Sequence, residues 1–315
     1  MTGLRIVFMG TPDFATTILD ALAQTEHTIV GVITVADKPA GRGRKIQQSS
    51  VKQYCEKHNL NVLQPTNLKD EEFIATLAAL KADLQIVVAF RMLPQVVWQM
   101  PKLGTFNLHA SLLPHYRGAA PINWAIIEGE KTTGVTSFFI DDKIDTGEII
   151  MQEKIAIEPN ENAGELHDKL MHLGAAVVLK TVKAIATGEA KPIKQSAITP
   201  LKLAHKIHKE TCKIDWEQPV DRIYDFIRGM SPYPAAWCKL VTNNTEQVIK
   251  LFKTTKELCS HNEKIGSVFA DKTTFKIAVN GGYLFVDEIQ LAGKRRMTTK
   301  DILNGFSVSE NSYVL

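Results

Sequence analysis

Apolar strand-like runs alternate with amphipathic helical stretches through residues 1–190, and five short strand-like runs crowd the last third of the chain. The alternation predicts an α/β protein: a Rossmann-like, mostly parallel sheet in an N-terminal domain, then a smaller C-terminal OB-like β-barrel domain. A length of 315 residues exceeds an average single domain and suits two. The expected division is 1–190 for the sheet domain, 191–208 for a basic linker and 209–315 for the barrel.

From Leu4 to Gly10 an apolar strand runs into Thr11, read as a helix N-cap. Pro12 is then the first helical residue, with apolar positions Phe14, Ile18, Leu19 and Leu22 on one face. Thr28 to Val35 is the next strand, and helices follow from Ser50 to His58 and from Glu71 to Ala82. Leu84 to Phe90 reads as a strand, Gln95 to Gln99 as a short helix and Thr105 to His109 as another strand. Pro121 suits the first turn of a helix carried on by Ile122 to Ile127. Gly134 to Ile140 and Ile149 to Ile157 can pair as neighbours, and a helix from about Gly164 ends at Gly188, a left-handed cap. Beyond the linker, a helix over Val220 to Arg228 precedes strands at Ala236 to Val241, Gln247 to Phe252, Ile265 to Phe269, Phe275 to Val279 and Tyr283 to Leu291. Asn280-Gly281-Gly282 marks a hairpin turn.

Hydrophobic residues at 44% and charged residues at 23% are ordinary for a globular enzyme. No apolar run is expected to reach the roughly 18 residues of a membrane span. Met1 to Arg5 leads straight into a strand pattern without the marks of a cleaved leader, so a cytoplasmic protein is expected. Cys55, Cys212, Cys238 and Cys259 lie too far apart for a Cys/His metal cluster or a disulfide framework, which predicts free thiols and no metal. The net charge of +3 is small, but its placement is uneven. Arg42, Arg44 and Lys45 share a Gly-rich loop; Lys191, Lys194, Lys202, Lys206, Lys209 and Lys213 follow one another with His205 and His208; Lys294, Arg295 and Arg296 form a third group. The loop from Ala36 to Ser49 is long for a strand-to-helix connection, and its charge and flexibility suit a phosphate backbone. A solvated basic loop has the same composition. Only one glycine of a dinucleotide-binding Gly-x-Gly-x-x-Gly follows the first strand, and no phosphate-cradling Gly-Lys-Ser/Thr loop is present.

The strongest chemical signal lies between Phe106 and Pro121. In an extended segment alternate side chains share a face, so Asn107 and His109 point one way while Phe106 and Leu108 point the other. After His109 the periodicity breaks into Ser111-Leu112-Leu113-Pro114, a loop leaving the carboxyl end of a strand, where open α/β sheets place ligands. Asp145-Thr146-Gly147 follows the next apolar run. An amide, an imidazole and a carboxylate are thus available to one site, although a buried structural histidine and a turn-forming asparagine would leave the same local pattern.

These residues resemble the folate-dependent formyltransferases. The likeness rests on Asn107, His109, Ser111 to Pro114 with Tyr116 to Pro121, Asp145 to Gly147, Met9 to Phe14 and Asp37 to Arg44, and runs nearly the whole chain. It implies Asn107, His109 and Asp145 as the catalytic trio and Ser111, Leu112, Leu113 and Pro114 as a lining of the folate site. The implied formyl donor is 10-formyltetrahydrofolate, and the implied acceptor is methionine esterified to initiator tRNA. The tRNA contacts implied or suggested by charge are Arg42, Arg44, Lys45, Lys206 and Lys209. Asp145 would orient the imidazole, while Asn107 and His109 would donate to the developing oxyanion. One departure stands out: Arg91 occupies a place where family members carry glycine, and it would face either solvent or the acidic tail of the folate. Transfer to a smaller amine, hydrolysis to formate, and a catalytically silent RNA-binding protein are the competing readings.

Overall fold

The structure, a computed structural model, describes residues 3–40, 45–197 and 199–315, with the side chains of Ala40 and Lys45 left aside. It divides into two compact units. The first comprises Met1–Gly118, Thr133–Ile155 and His167–Leu203; the second comprises Ala119–Thr132, Ala156–Leu166 and Ala204–Leu315.

A seven-stranded sheet is built from β1 (Arg5–Gly10), β2 (Thr28–Ile33), β3 (Val62–Leu63), β4 (Leu84–Val88), β5 (Thr105–His109), β6 (Thr132–Phe139) and β7 (Ile149–Ala156). The strand order is β7-β6-β5-β4-β1-β2-β3. The pairs β1/β2, β1/β4, β2/β3 and β4/β5 are parallel, whereas β5 and β6 run antiparallel. Strands β1 and β4 are apolar and buried almost throughout, as a sheet covered on both faces requires.

Helix α1 (Asp13–Ala23) buries Phe14, Ile18, Leu19 and Leu22, the expected stripe. Its cap differs from expectation: Pro12, not Thr11, holds the N-cap position and makes no side-chain cap bond. Extended Pro12 already supplies the chain reversal, and Asp13 brings negative charge to the first turn. Helices α2 (Ser50–Lys57) and α3 (Glu71–Ala79) are capped by Ser49 and Asp70, whose side chains accept from the N–H groups of Lys52 and Phe73. Short helices α4 (Gln95–Trp98) and α5 (Pro121–Ile127) fall where expected, the second with Pro121 in its first turn. The Ala36–Ser49 loop contains an antiparallel ribbon of Lys38–Ala40 and Lys45–Gln47 that the sequence did not signal.

Helix α6 (Ala163–Thr187) is long and apolar enough to cross a membrane by length and composition alone, although, as expected, no unbroken apolar run in it reaches that length. Single charged residues interrupt its linear sequence without breaking its apolar stripe. Leu166, Leu170, Val177, Val178, Val182 and Ile185 recur at helical spacing and are buried, the pattern of a core helix. Thr181 bonds Ser137 of β6 at 2.8 Å, and a Cβ on Gly174 would lie 2.7 Å from Leu108 of β5. The helix therefore packs on the two strands nearest the polar residues of interest. Gly188 follows it at φ +72°, the left-handed cap expected there.

In the second unit, α7 (Val220–Met230) precedes β8 (Ala236–Thr242), β9 (Thr245–Leu258), β10 (Val268–Ala270), β11 (Phe275–Val279), β12 (Gly282–Leu291) and β13 (Tyr313–Val314). The order β10-β11-β12-β9-β8-β13 is closed by a bridge between Ser267 and Tyr313, which makes a nearly complete antiparallel barrel. Ile249, Leu251, Ile277, Val279 and Leu284 are fully buried inside it with Ile223 and Ile227 of α7. Strand β9 runs six residues beyond Phe252, the end expected for it. A final short helix, α8 (Thr299–Leu303), was not expected. All four cysteines are free; burial pushes the Cys55 thiol up to about 11 and raises that of fully buried Cys238 as well.

Candidate active site

Strand β5 delivers the first two polar groups. Phe106 and Leu108 are buried on one face, so Asn107 and His109 share the other. Asn107 lies opposite Phe138, and His109 opposite Thr136, in the antiparallel register with β6. The buried Asn107 Oδ1 position has no hydrogen-bond partner. Because the oxygen and nitrogen ends of a carboxamide are nearly isosteric, this position can present either an acceptor or an N–H donor to a substrate. A buried polar atom without a protein partner in an ordered strand is costly unless a ligand group or a water meets it.

His109 is 6% exposed. Its Nε2 lies 2.8 Å from the carbonyl oxygen of Tyr116, so Nε2 carries a proton and donates. Its Nδ1 lies 3.8 Å from Asp145 Oδ2, within ion-pair range and outside that of a direct hydrogen bond. The same carboxylate oxygen accepts the N–H of Gly118 at 2.9 Å. The carboxylate is thus held in place, and the Nδ1 edge of the ring is the one left for a substrate. Catalytic hydrogen bonds are often long in the free protein and tighten in the reacting complex.

Two loops create this arrangement through unusual backbone. Tyr116 (φ +60°) and Asp145 (φ +55°) both sit in the left-handed region, which bulky side chains rarely adopt. Two residues after Asp145, a Cβ on Gly147 would fall 1.7 Å from the Phe139 carbonyl oxygen. Gly147→Ala is therefore expected to push this loop off β6 and cost about 3 kcal/mol or more of stability, read from urea unfolding. An unchanged unfolding midpoint would show that the close approach is dispensable.

The Ser111 to Pro114 tract lies against the same strands. Ser111 is fully buried; its hydroxyl donates to the His115 carbonyl at 2.8 Å, while its own carbonyl accepts from Thr136 Oγ1 at 2.6 Å. Gln152 of β7 donates to the Leu113 carbonyl at 2.8 Å and to Thr136 Oγ1 at 2.9 Å. Leu112 packs over Gly134, and the Leu113–Pro114 peptide is cis. The Ser111 hydroxyl is committed within the protein.

Arg91 is exposed, as one of its two expected courses has it, but it is not free in solvent. Its guanidinium turns back to the carbonyls of Thr66, at 2.9 Å, and Pro65, and lies 5.6 Å from the Phe90 ring centre. The side chain ties two loops at the carboxyl ends of β3 and β4.

Among the proposed tRNA contacts, Lys206 and Lys209 are exposed in the second unit. The Lys209 carbonyl accepts the Trp237 indole N–H at 2.8 Å. Lys45 belongs to the ribbon by its backbone, whereas Arg42 and Arg44 lie outside the described residues. In the third basic group Arg296 pairs with Glu288 and stacks 4.6 Å from Phe252, while Lys294 and Arg295 are exposed. No group of three or more His, Cys, Asp or Glu side chains among the described residues is placed to hold a metal ion.

Sequence reasoning missed the Tyr116 carbonyl, Thr136, Gln152 and Gln195. The first is a backbone group that every residue possesses. The other three are polar side chains whose partners lie 16 to 78 positions away, beyond any local pattern.

A Rossmann-like sheet thus brings an amide and an imidazole at the end of one strand to a carboxylate from the loop after the next, and a barrel follows. Residues 4–182 match the family described as formyl transferase, and residues 206–307 match the formyl transferase C-terminal domain. The chain belongs to the formyl transferase family. It is 56% identical over 314 residues to the methionyl-tRNA formyltransferase of Flavobacterium johnsoniae, covering 100% of both chains. The Bacteroides fragilis enzyme of that name is 56% identical over 312 residues, covering 98% of this chain and 96% of its own. Among solved structures, the sugar 3N-formyl transferase WlaRD superposes with a TM-score of 0.64 at 21% identity, covering 93% of this chain and 99% of its own. HypX from Aquifex aeolicus, solved in complex with tetrahydrofolic acid, gives 0.65 at 18% identity, covering 98% of this chain and 48% of its own. The two structures share the fold.

Proposed function

We propose that this protein transfers the formyl group of 10-formyltetrahydrofolate to the α-amino group of methionine carried by initiator tRNA, in the cytoplasm and in support of translation initiation. The observation that carries this reading is full-length 56% identity to enzymes of that name. Residues 1–190 would perform the chemistry, 191–208 would connect, and 209–315 would contact tRNA.

The reaction breaks one bond from the formyl carbon to a folate nitrogen and forms one to the amino nitrogen, with a proton passing from the attacking nitrogen to the departing one. An α-amino group titrates near pH ~8, so a usable fraction is neutral and nucleophilic without a strong base. Asn107, through its N–H, and His109, through Nδ1, would donate to the formyl oxygen as it gains charge. Asp145 would balance the positive charge on the ring, and His109 or an ordered water would carry the proton. The unpartnered Asn107 position supports this fit to a carbonyl substrate. The Ser111 to Pro114 tract would shape the folate wall through its backbone and apolar side chains.

Basic residues Arg42, Arg44, Lys45, Lys206 and Lys209 would follow the phosphates of the acceptor end. Arg42→Ala is expected to raise the KM for methionyl-tRNA about tenfold, leave kcat nearly unchanged, and lower the salt slope of tRNA affinity by about one. The test compares kcat/KM for methionyl-tRNA with that for free methionine over a range of salt. Equal use of both acceptors, or a salt-independent rate, would refute the tRNA assignment and favour a small amine.

A further inference from the structure

We infer that Gln195 is a positioning residue for the reaction, holding the Asp145 carboxylate in its place beside His109. The inference rests on the assignment of Asp145 above and adds a residue that no motif carries. Gln195 lies in the segment expected to be a basic linker, yet this part of the segment is pinned to the sheet. Ile193 exchanges two backbone hydrogen bonds with Ile149 of β7, at 2.8 and 2.9 Å.

From that anchor the Gln195 carboxamide uses its full bonding capacity. Nε2 donates to the Asp145 carbonyl and to the Gly147 carbonyl, each at 2.9 Å. Oε1 accepts from Arg117 Nε at 3.2 Å and Nη2 at 2.6 Å. Two donors and two acceptor contacts on one side chain span both loops of the site. One loop carries Asp145 in its left-handed conformation; the other carries Arg117 and, next to it, the Gly118 N–H that holds Asp145 Oδ2. A non-glycine residue in the left-handed region persists only where its surroundings hold it there. Losing these bonds frees the Asp145 backbone to relax and carries the carboxylate away from the ring. Misplacement by about 1 Å can cost as much as ~100-fold in rate.

The experiment measures single-turnover formyl transfer to methionyl-tRNA, and both KM values, for Gln195→Met and Gln195→Glu. Methionine keeps the side-chain length and removes the donors. Glutamate is isosteric and keeps the Arg117 contact, but turns an acceptor toward two carbonyls. Both variants are expected to lose about 10- to 100-fold in rate with KM values within about twofold of wild type, the signature of lost transition-state positioning. The same Gln195→Met change made in an Asp145→Asn background is expected to cost less than about twofold more, because its effect runs through the carboxylate already removed. A wild-type rate for either variant with intact thermal unfolding, a loss confined to KM, or an equal loss in the Asp145→Asn background would overturn the inference. Asp145→Asn alone separates the two levels. If it retains full rate, the assignment of Asp145 fails and the positioning role with it; if it is inactive while Gln195→Met is normal, only the positioning role fails.

Discussion

His109→Ala is expected to lower formyl transfer about a thousandfold while leaving affinity for methionyl-tRNA within about twofold, the loss typical of removing a positioned proton-transfer group. The imidazole is the one side chain in the site with a nitrogen toward each loop: Nε2 to the Tyr116 carbonyl at 2.8 Å, and Nδ1 toward Asp145 at 3.8 Å. Alanine removes both contacts and the donor proposed for the formyl oxygen. It leaves the basic loop and the barrel untouched, so single-turnover rates and filter-binding affinities should part company. Parallel loss of rate and affinity would point to misfolding, or to a protein that binds RNA without catalysis.

The second large effect has an unusual sign. Asn107→Ala is expected to slow transfer by about 2.7 to 4 kcal/mol of barrier, or about 100- to 1,000-fold, as for loss of an oxyanion donor. Yet the thermal midpoint should stay level or rise. The buried Oδ1 position of Asn107 pairs with nothing in the free protein, and truncating an unsatisfied buried polar group relieves its desolvation cost. A structural asparagine predicts the reverse: a fall in stability with the rate preserved. Measuring unfolding and single-turnover transfer on one preparation separates the two.

Where local chemistry decides conformation, the sequence was legible. Thr105–His109, Pro121–Ile127 and Phe275–Val279 have the bounds expected of them because alternation of apolar residues and a first-turn proline act within a few residues. The nearness of Asp145 to His109 was legible because Asn107 and His109 share a strand face and Asp145 follows the next strand. Beyond Phe252 the outer half of β9 is polar and exposed, so the apolar signal stops while pairing with β12 continues to Leu258. The long helix α6 was legible, from its start near Gly164 to its cap at Gly188. Arg91 shows a limit: its glycine-like place near the expected folate pocket could be read, but not the two distant carbonyls it turns to. Gln195 shows it most clearly, since its four bonds reach residues 48 to 78 positions away.

The central claim is that a single reacting carbon is served by Asn107, His109 and Asp145 while an aminoacyl-tRNA supplies the nucleophile. Its most direct test uses 10-formyltetrahydrofolate labelled in the formyl carbon, mixed with excess purified protein and methionyl initiator tRNA, and follows label in the esterified methionine. The account predicts one labelled formyl group per methionyl-tRNA, none on uncharged tRNA, and incorporation about a thousandfold slower when His109 is alanine. Label released as free formate with the methionine unmodified, or equal incorporation by the His109→Ala protein, would contradict it.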